Sequence, residues 1–311
     1  MIKRTAIFLF LAFFLFPGDA PAAESDEKVA NSLLWEISGQ GLESPSYLFG
    51  TIHQICPGDF VVFATFCHDE KMLFNPLDHK LSKTDKLVVE VDTEDIRYQG
   101  AMQRVLYLGE GESLRDFFTH EQFNHVRDFF VDSIGLDINT VSHVRPFFLV
   151  SMIYPHMLGC EPSGYEDYLI KRARSRGIDV AGIESVRFHV EMYENISRDQ
   201  EVKELLNIIF NYEAARRGFE EMVRHYRRMD IESLRQASEG GKEDMVVDES
   251  FIVQRNLKWI PDMKELMHEQ PVFFAFGASH LAGEYGLVNL LREEGYSVEP
   301  VIPPRVREDS D

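Results

Sequence analysis

Two Gly-x-x-His tetrads stand near opposite ends of the chain, each at the close of an apolar run. Gly50-Thr51-Ile52-His53 follows Tyr47-Leu48-Phe49, and Gly277-Ala278-Ser279-His280 follows Val272-Phe273-Phe274-Ala275-Phe276. Short apolar runs of this kind read as buried β-strands. Two more end in carboxylates: Leu87-Val88-Val89-Glu90-Val91-Asp92 and Ile178-Asp179-Val180-Ala181-Gly182-Ile183-Glu184. In an α/β protein, residues just beyond the strands gather at one edge of the sheet, where ligands bind. The pattern therefore predicts that positions 53, 90, 184 and 280 meet. A glycine ahead of each histidine lets backbone and ligand approach closely.

The remaining segments supply the frame. Leu33 to Ile37 alternates like a strand, Gly39 to Pro45 reads as a turn, and Val298 to Ile302 as a last strand. Residues 94–162 read mainly as helix, and Tyr165 to Arg176 as an amphipathic helix stopped by Gly177. From Val202 to Tyr226 the helical period continues without a visible break. Its Arg216, Arg217, Arg224, Arg227 and Arg228 interleave with Glu213, Glu220 and Glu221, which marks a solvated, salt-bridged face rather than an anion site. Gly240-Gly241 marks a loop. Helices are expected at Glu249 to His268 and at Leu287 to Glu294, the latter capped by Gly295. The apolar stretch from Cys56 to Phe74 reads either as a wall of the site or as core packing. The expectation is an α/β fold, with a central mixed β-sheet of five or six strands and a long helical insertion between the third and fourth.

The N-terminus has the form of a secretory signal. Lys3 and Arg4 precede an apolar run from Ala6 to Phe16, and Ala20-Pro21-Ala22-Ala23 supplies a small-residue cleavage site. Residues 1–23 are expected to be removed, an uncleaved N-terminal anchor being the alternative. One domain then spans 24–302, and 303–311 form a disordered tail. Export places the protein in a periplasmic or extracellular, oxidising compartment. Cys56, Cys67 and Cys160 allow at most one internal bridge, and both Cys56–Cys67 and Cys56–Cys160 are open. A formal charge of −20 argues against nucleic acid and anionic membranes as partners. No later segment of the chain is apolar enough to span a bilayer.

His53 and His280 are the natural ligands for a divalent ion, with Glu90 completing an open three-ligand site that holds a water. Glu90 lies in an apolar strand where an unpaired charge is costly to bury. Asp92, two residues on, shares its face, but also suits a turn or a helix cap. Glu184 follows the same logic as Glu90. Ser279 invites a serine-hydrolase reading, but the elbow needs glycine two residues later and Leu281 stands there.

Together with Gly182-Ile183-Glu184, Arg255-Asn256, Trp259 and the segment Phe276 to Gly286, these stretches resemble the TraB/GumN/PrgY superfamily, which includes the Tiki metalloproteases. The similarity is to its bacterial GumN-like branch. It runs from about residue 33 to 302. The resemblance implies a fold shared with erythromycin-esterase-like and ChaN-like proteins. It further implies a metal-dependent hydrolase in which His53, His280 and Glu90 form the metal site. Gly50, Asp92, Glu184, Asn256 and Gly277 would support that site or the substrate, and Arg255 would stabilise a developing oxyanion. Manganese, cobalt and zinc all suit these ligands. His189 stands where the family pattern suggests glutamine. The expected activity is peptidase-like on a peptide or protein substrate. The alternative is a binding protein that sequesters a peptide, haem or a metal.

Overall fold

The computed structural model describes residues 30–57, 65–66, 73–239 and 249–301. The expected signal, the C-terminal tail, the Gly240-Gly241 loop, Cys67 and most of the apolar stretch after His53 lie outside them. The strands are β1 (Leu34–Ser38), β2 (Ser46–Thr51), β3 (Thr65–Phe66), β4 (Leu73–Phe74), β5 (Lys86–Val89), β6 (Asp179–Gly182), β7 (Val272–Gly277) and β8 (Ser297–Pro300). Six of them form one mixed sheet in the order β6-β5-β7-β2-β1-β8, and β3 pairs with β4 separately. The α/β expectation and its strand number hold.

Four neighbours, β6, β5, β7 and β2, run parallel, while at one side β1 pairs antiparallel with β2 and β8 antiparallel with β1. The three inner parallel strands have apolar cores, with Leu87 to Val89, Val272 to Phe276 and Tyr47 to Phe49 all essentially solvent-free, while β6 at the edge is partly exposed. Strands of a parallel sheet are covered on both faces, so continuous apolarity rather than alternation is the pattern such strands need. Register then fixes the edge. Thr51 lies beside Gly277, and Val89 beside both Ala275 and Gly182. The chain therefore leaves all four strands at one level, carrying His53, Glu90, Glu184 and His280 to the same side.

The helices are α1 (Pro76–Leu81), α2 (Ile96–Leu106), α3 (His120–Phe129), α4 (Pro146–Leu158), α5 (Tyr165–Ser175), α6 (Val186–Glu194), α7 (Arg198–Phe210), α8 (Tyr212–Arg227), α9 (Ile231–Glu239), α10 (Glu249–Glu269) and α11 (Leu287–Glu293). α5 ends as expected, with Gly177 at φ +74°. The continuous period from Val202 to Tyr226 is in fact two helices. Asn211, at φ −114° and ψ 31°, leaves helical geometry, and its side-chain amide donates to the Asn207 carbonyl. An asparagine that bonds its own preceding turn offers the backbone an alternative to helix, and periodicity alone does not register it. On α8, Arg216 pairs with Glu213 and Glu220 as the charge pattern predicts.

Candidate active site at the carboxyl edge of the parallel strands

Gly277 is where the two halves of the site join. Its N–H donates to Glu90 Oε1 at 2.8 Å, and a Cβ there would stand 3.2 Å from that same oxygen. Glycine is the residue that lets the carboxylate sit this close to the backbone. Gly50 has the matching role below His53: a Cβ would meet Leu281 Cδ2 at 2.9 Å and the Ala278 backbone at 3.2 Å. The second tetrad can therefore fold its one-turn helix (Ala278–His280) directly over the first.

Arg255, from α10, occupies the centre and is only 5 % exposed. Its Nη2 donates to Glu90 Oε2 at 2.5 Å and to Glu184 Oε2 at 3.1 Å, and Nε donates to Glu184 Oε1 at 2.7 Å. The third nitrogen, Nη1, lies 3.3 Å from His280 Nε2. Trp259, one turn further along α10, stacks its ring on both the guanidinium and the His280 imidazole. It also donates its indole N–H to Glu184 Oε1. Burial opposes ionisation of Glu90, but Arg255 and the neighbouring imidazoles hold its carboxyl well below the usual carboxylate range. Glu184 is likewise held low against its burial by His189 and Arg255.

The two tetrad histidines have different states. His280 is buried, and burial reinforced by Arg255 pushes its imidazole down to about 3. It is therefore neutral. Asn256 sets its tautomer: the amide Nδ2 donates to the carbonyls of His280 and Tyr285, so Oδ1 accepts from His280 Nδ1–H at 2.6 Å. That directs the Nε2 lone pair inward, toward Arg255. His53 Nδ1 lies 2.8 Å from Glu166 Oε1, which also accepts the Thr51 hydroxyl at 2.5 Å. Burial alone would lower the His53 pKa, but the Glu166 carboxylate raises it to about 9.

A cavity of about 120 Å³ opens between these groups. It is lined by the polar His53, Glu90, Glu166, Arg255 and His280 and by Phe219, Met222 and Tyr226 of α8 and Leu234 of α9. Residues 33–300 match the TraB/PrgY/gumN family. The chain belongs to that family. Among curated relatives it is 20 % identical to zebrafish (Danio rerio) metalloprotease TIKI2, over 92 % of this chain and 63 % of that protein. It is 21 % identical to a metalloprotease TIKI homolog of Nematostella vectensis, over 93 % and 71 %, and 23 % identical to zebrafish metalloprotease TIKI1, over 86 % and 63 %. The chain thus spans less than two thirds of the length of the zebrafish proteins. No solved structure matches it.

Set against the family resemblance, the structure brings His53, Glu90, Glu184, Arg255, Asn256, His280, Gly50 and Gly277 into one neighbourhood. Asp92 is elsewhere employed. It accepts from the Glu94 N–H and pairs with Arg174 of α5 at 2.8 Å, so it closes the turn after β5 and does not line the cavity. Ser279 lines the cavity without a hydrogen-bonded base among the described residues. Glu166 is the site residue that sequence reasoning misses. It precedes Leu169 and Ile170 by three and four positions and so falls on the buried face of α5, a carboxylate in an apolar stripe. His189 holds Glu184 Oε2 at 3.1 Å and also faces the cavity.

Imidazoles and carboxylates are donor types that a divalent ion takes, and each imidazole has Nδ1 against an outer acceptor, as ligating histidines do. Glu166 Oε2, buried beside His53, has no hydrogen-bond partner among the described residues. Those same residues nevertheless contain no group of three His, Cys, Asp or Glu side chains closed on one point. The Arg255 guanidinium stands against His280 Nε2 and Glu90 instead.

Proposed function

We propose that the protein is an exported, metal-dependent hydrolase of the peptidase type that acts at the carboxyl edge of the parallel strands. The observation that carries this reading is the convergence of both Gly-x-x-His histidines on one cavity, each with its outer nitrogen held by Glu166 or Asn256. The names of the relatives support it, since each is called a metalloprotease. His53 and His280 would hold the ion, with Glu90 or Glu166 as the carboxylate beside them. A bound divalent ion supplies a Lewis acid and a water acidified toward neutrality, and manganese, cobalt and zinc all suit such ligands.

The chain's own groups have separate tasks. Glu90 is held as a carboxylate well below the usual range, which suits it to holding a cation rather than to taking a proton near neutrality. Arg255 remains a cation and offers N–H donors to negative charge that develops on a carbonyl oxygen. Phe219, Met222 and Leu234 line the same cavity and suit an apolar side chain of a peptide. A disulfide joins Cys56 to Cys160, which agrees with an oxidising compartment and with the N-terminal signal pattern. Among the described residues no helix is long and apolar enough to cross a membrane.

The test is elemental analysis of the purified protein beside His53→Ala and His280→Ala, together with a generic peptide-cleavage assay with and without chelator. The expected result is near-stoichiometric metal in the parent, loss in both variants, and cleavage that the chelator stops. Metal without cleavage would assign the site to sequestration of a ligand instead. Undiminished metal in both variants would overturn the ligand assignment.

A further inference from the structure

The position of Arg255 is unusual for a residue beside a metal site. A cation planted against a ligand nitrogen opposes a second cation, and here the planting is firm. Nε and Nη2 are clamped by Glu184 and Glu90, and Arg255 Cζ lies 4.7 Å from the Trp259 ring centroid. Glu184 is itself fixed by the Trp259 indole and by His189. Only Nη1 makes a contact that a small shift could break, and that contact, 3.3 Å long, is with His280 Nε2. The His280 tautomer set by Asn256 makes this nitrogen an acceptor, so the same lone pair serves Arg255 or an ion, not both.

We infer that Arg255 is the resident cation of the site, and that a divalent ion reaches His280 only by displacing the guanidinium from its Nε2. The inference rests on the proposed metal site, but it concerns how tightly that site binds rather than what it catalyses. Two carboxylates, Glu90 and Glu184, face one guanidinium and leave one net negative charge. That charge keeps the site attractive to a cation, while Arg255 sets the threshold. Glu184, which lies outside the proposed ligand set, then acts as the anchor that holds the competitor in place.

Charge and position can be separated by two variants. Arg255→Gln removes the competitor and leaves both carboxylates uncompensated. Arg255→Gln with Glu184→Gln also removes it, yet keeps the parent's net charge around the site. Binding of Mn²⁺ and Co²⁺ would be measured by titration calorimetry, with the Co²⁺ visible spectrum reporting a nitrogen ligand. Circular dichroism and melting curves would confirm that each variant is folded. The expected result is at least tenfold tighter binding in both variants than in the parent. Tighter binding in the single variant alone would show that bulk charge is responsible and would overturn the inference, as would unchanged or weaker binding in the double variant. If the parent binds no ion while the double variant does, the inference stands and the metalloenzyme reading of the parent fails. If the parent binds and neither variant binds more tightly, the metal reading stands and the inference fails. If no form binds an ion, both fail.

Discussion

His53 and His280 share a motif but differ in charge, and the difference comes from their neighbours. Asn256 is a neutral acceptor, and Arg255 adds to the effect of burial, so the His280 ring stays uncharged despite Glu90 and Glu184. Glu166 is a carboxylate, and it turns the same burial into a stabilised imidazolium at His53. The folded-state value of about 9 lies above the unfolded value of about 6.5. The protonated ring therefore stabilises the fold fully below pH 6.5, and that contribution is lost as pH rises through 9. In an NMR titration the His53 resonance is expected to move with a midpoint near 9, and in Glu166→Gln with a midpoint below 7. Relative to that variant, the parent's unfolding free energy should fall by on the order of 2 kcal/mol between pH 6.5 and 9. A midpoint indifferent to the substitution would show that Glu166 does not govern His53.

At the level of elements, the helical insertion is fastened by one buried arginine. Arg145 immediately precedes α4 and is 2 % exposed. Its Nε donates to Glu201 of α7 at 2.8 Å, Nη1 to the Val105 carbonyl of α2, and Nη2 to the Tyr193 carbonyl of α6. Four helices thus meet at one guanidinium, and Glu201 is also paired with the partly exposed Arg198 at 2.7 Å. Removing one partner of a buried pair strands the other, at a cost of about 3–5 kcal/mol. Arg145→Met is expected to lower stability to urea by that amount, and Arg145→Met with Glu201→Leu to recover most of it; equal losses in both would assign the cost to packing rather than to the stranded charge. Sequence shows why elements were legible and joints were not. The inner parallel strands β5, β7 and β2 announce themselves by apolar runs, and the Gly-x-x-His and carboxylate endings point to the shared edge. By contrast, Arg145, Glu201 and Glu166 read as ordinary charges on ordinary helices, because their meaning depends on partners 56 to 115 residues away. The break at Asn211 was hidden for a different reason: the apolar period of α7 runs on into α8 with no glycine or proline to mark the turn.

For the whole molecule, the question is what keeps a site assembled from both ends of the chain at one level. The sheet register sets the height of the strand ends, but His53 lies two residues beyond β2, where the ladder has stopped. The connection resumes just after it. Ile55 exchanges two backbone hydrogen bonds with Ser163, and Cys56 is bridged to Cys160 across 104 residues. Both links tie the loop that carries His53 to the segment that leads into α5 and Glu166. Of the two pairings open from sequence, this one joins distant parts of the chain. A loop of that length gives a disulfide large leverage on the unfolded ensemble, and removing such a bridge costs about 2–4 kcal/mol. The Ile55–Ser163 ladder is too short to hold the register alone, so the loss should be felt locally as well as globally. In Cys56→Ser with Cys160→Ser, stability to urea is expected to fall by that amount, and the His53 titration midpoint to move from about 9 toward 6.5 as the Glu166 contact loosens. A variant that loses stability while the midpoint stays near 9 would show that the bridge holds the fold together but does not set the distance between His53 and Glu166.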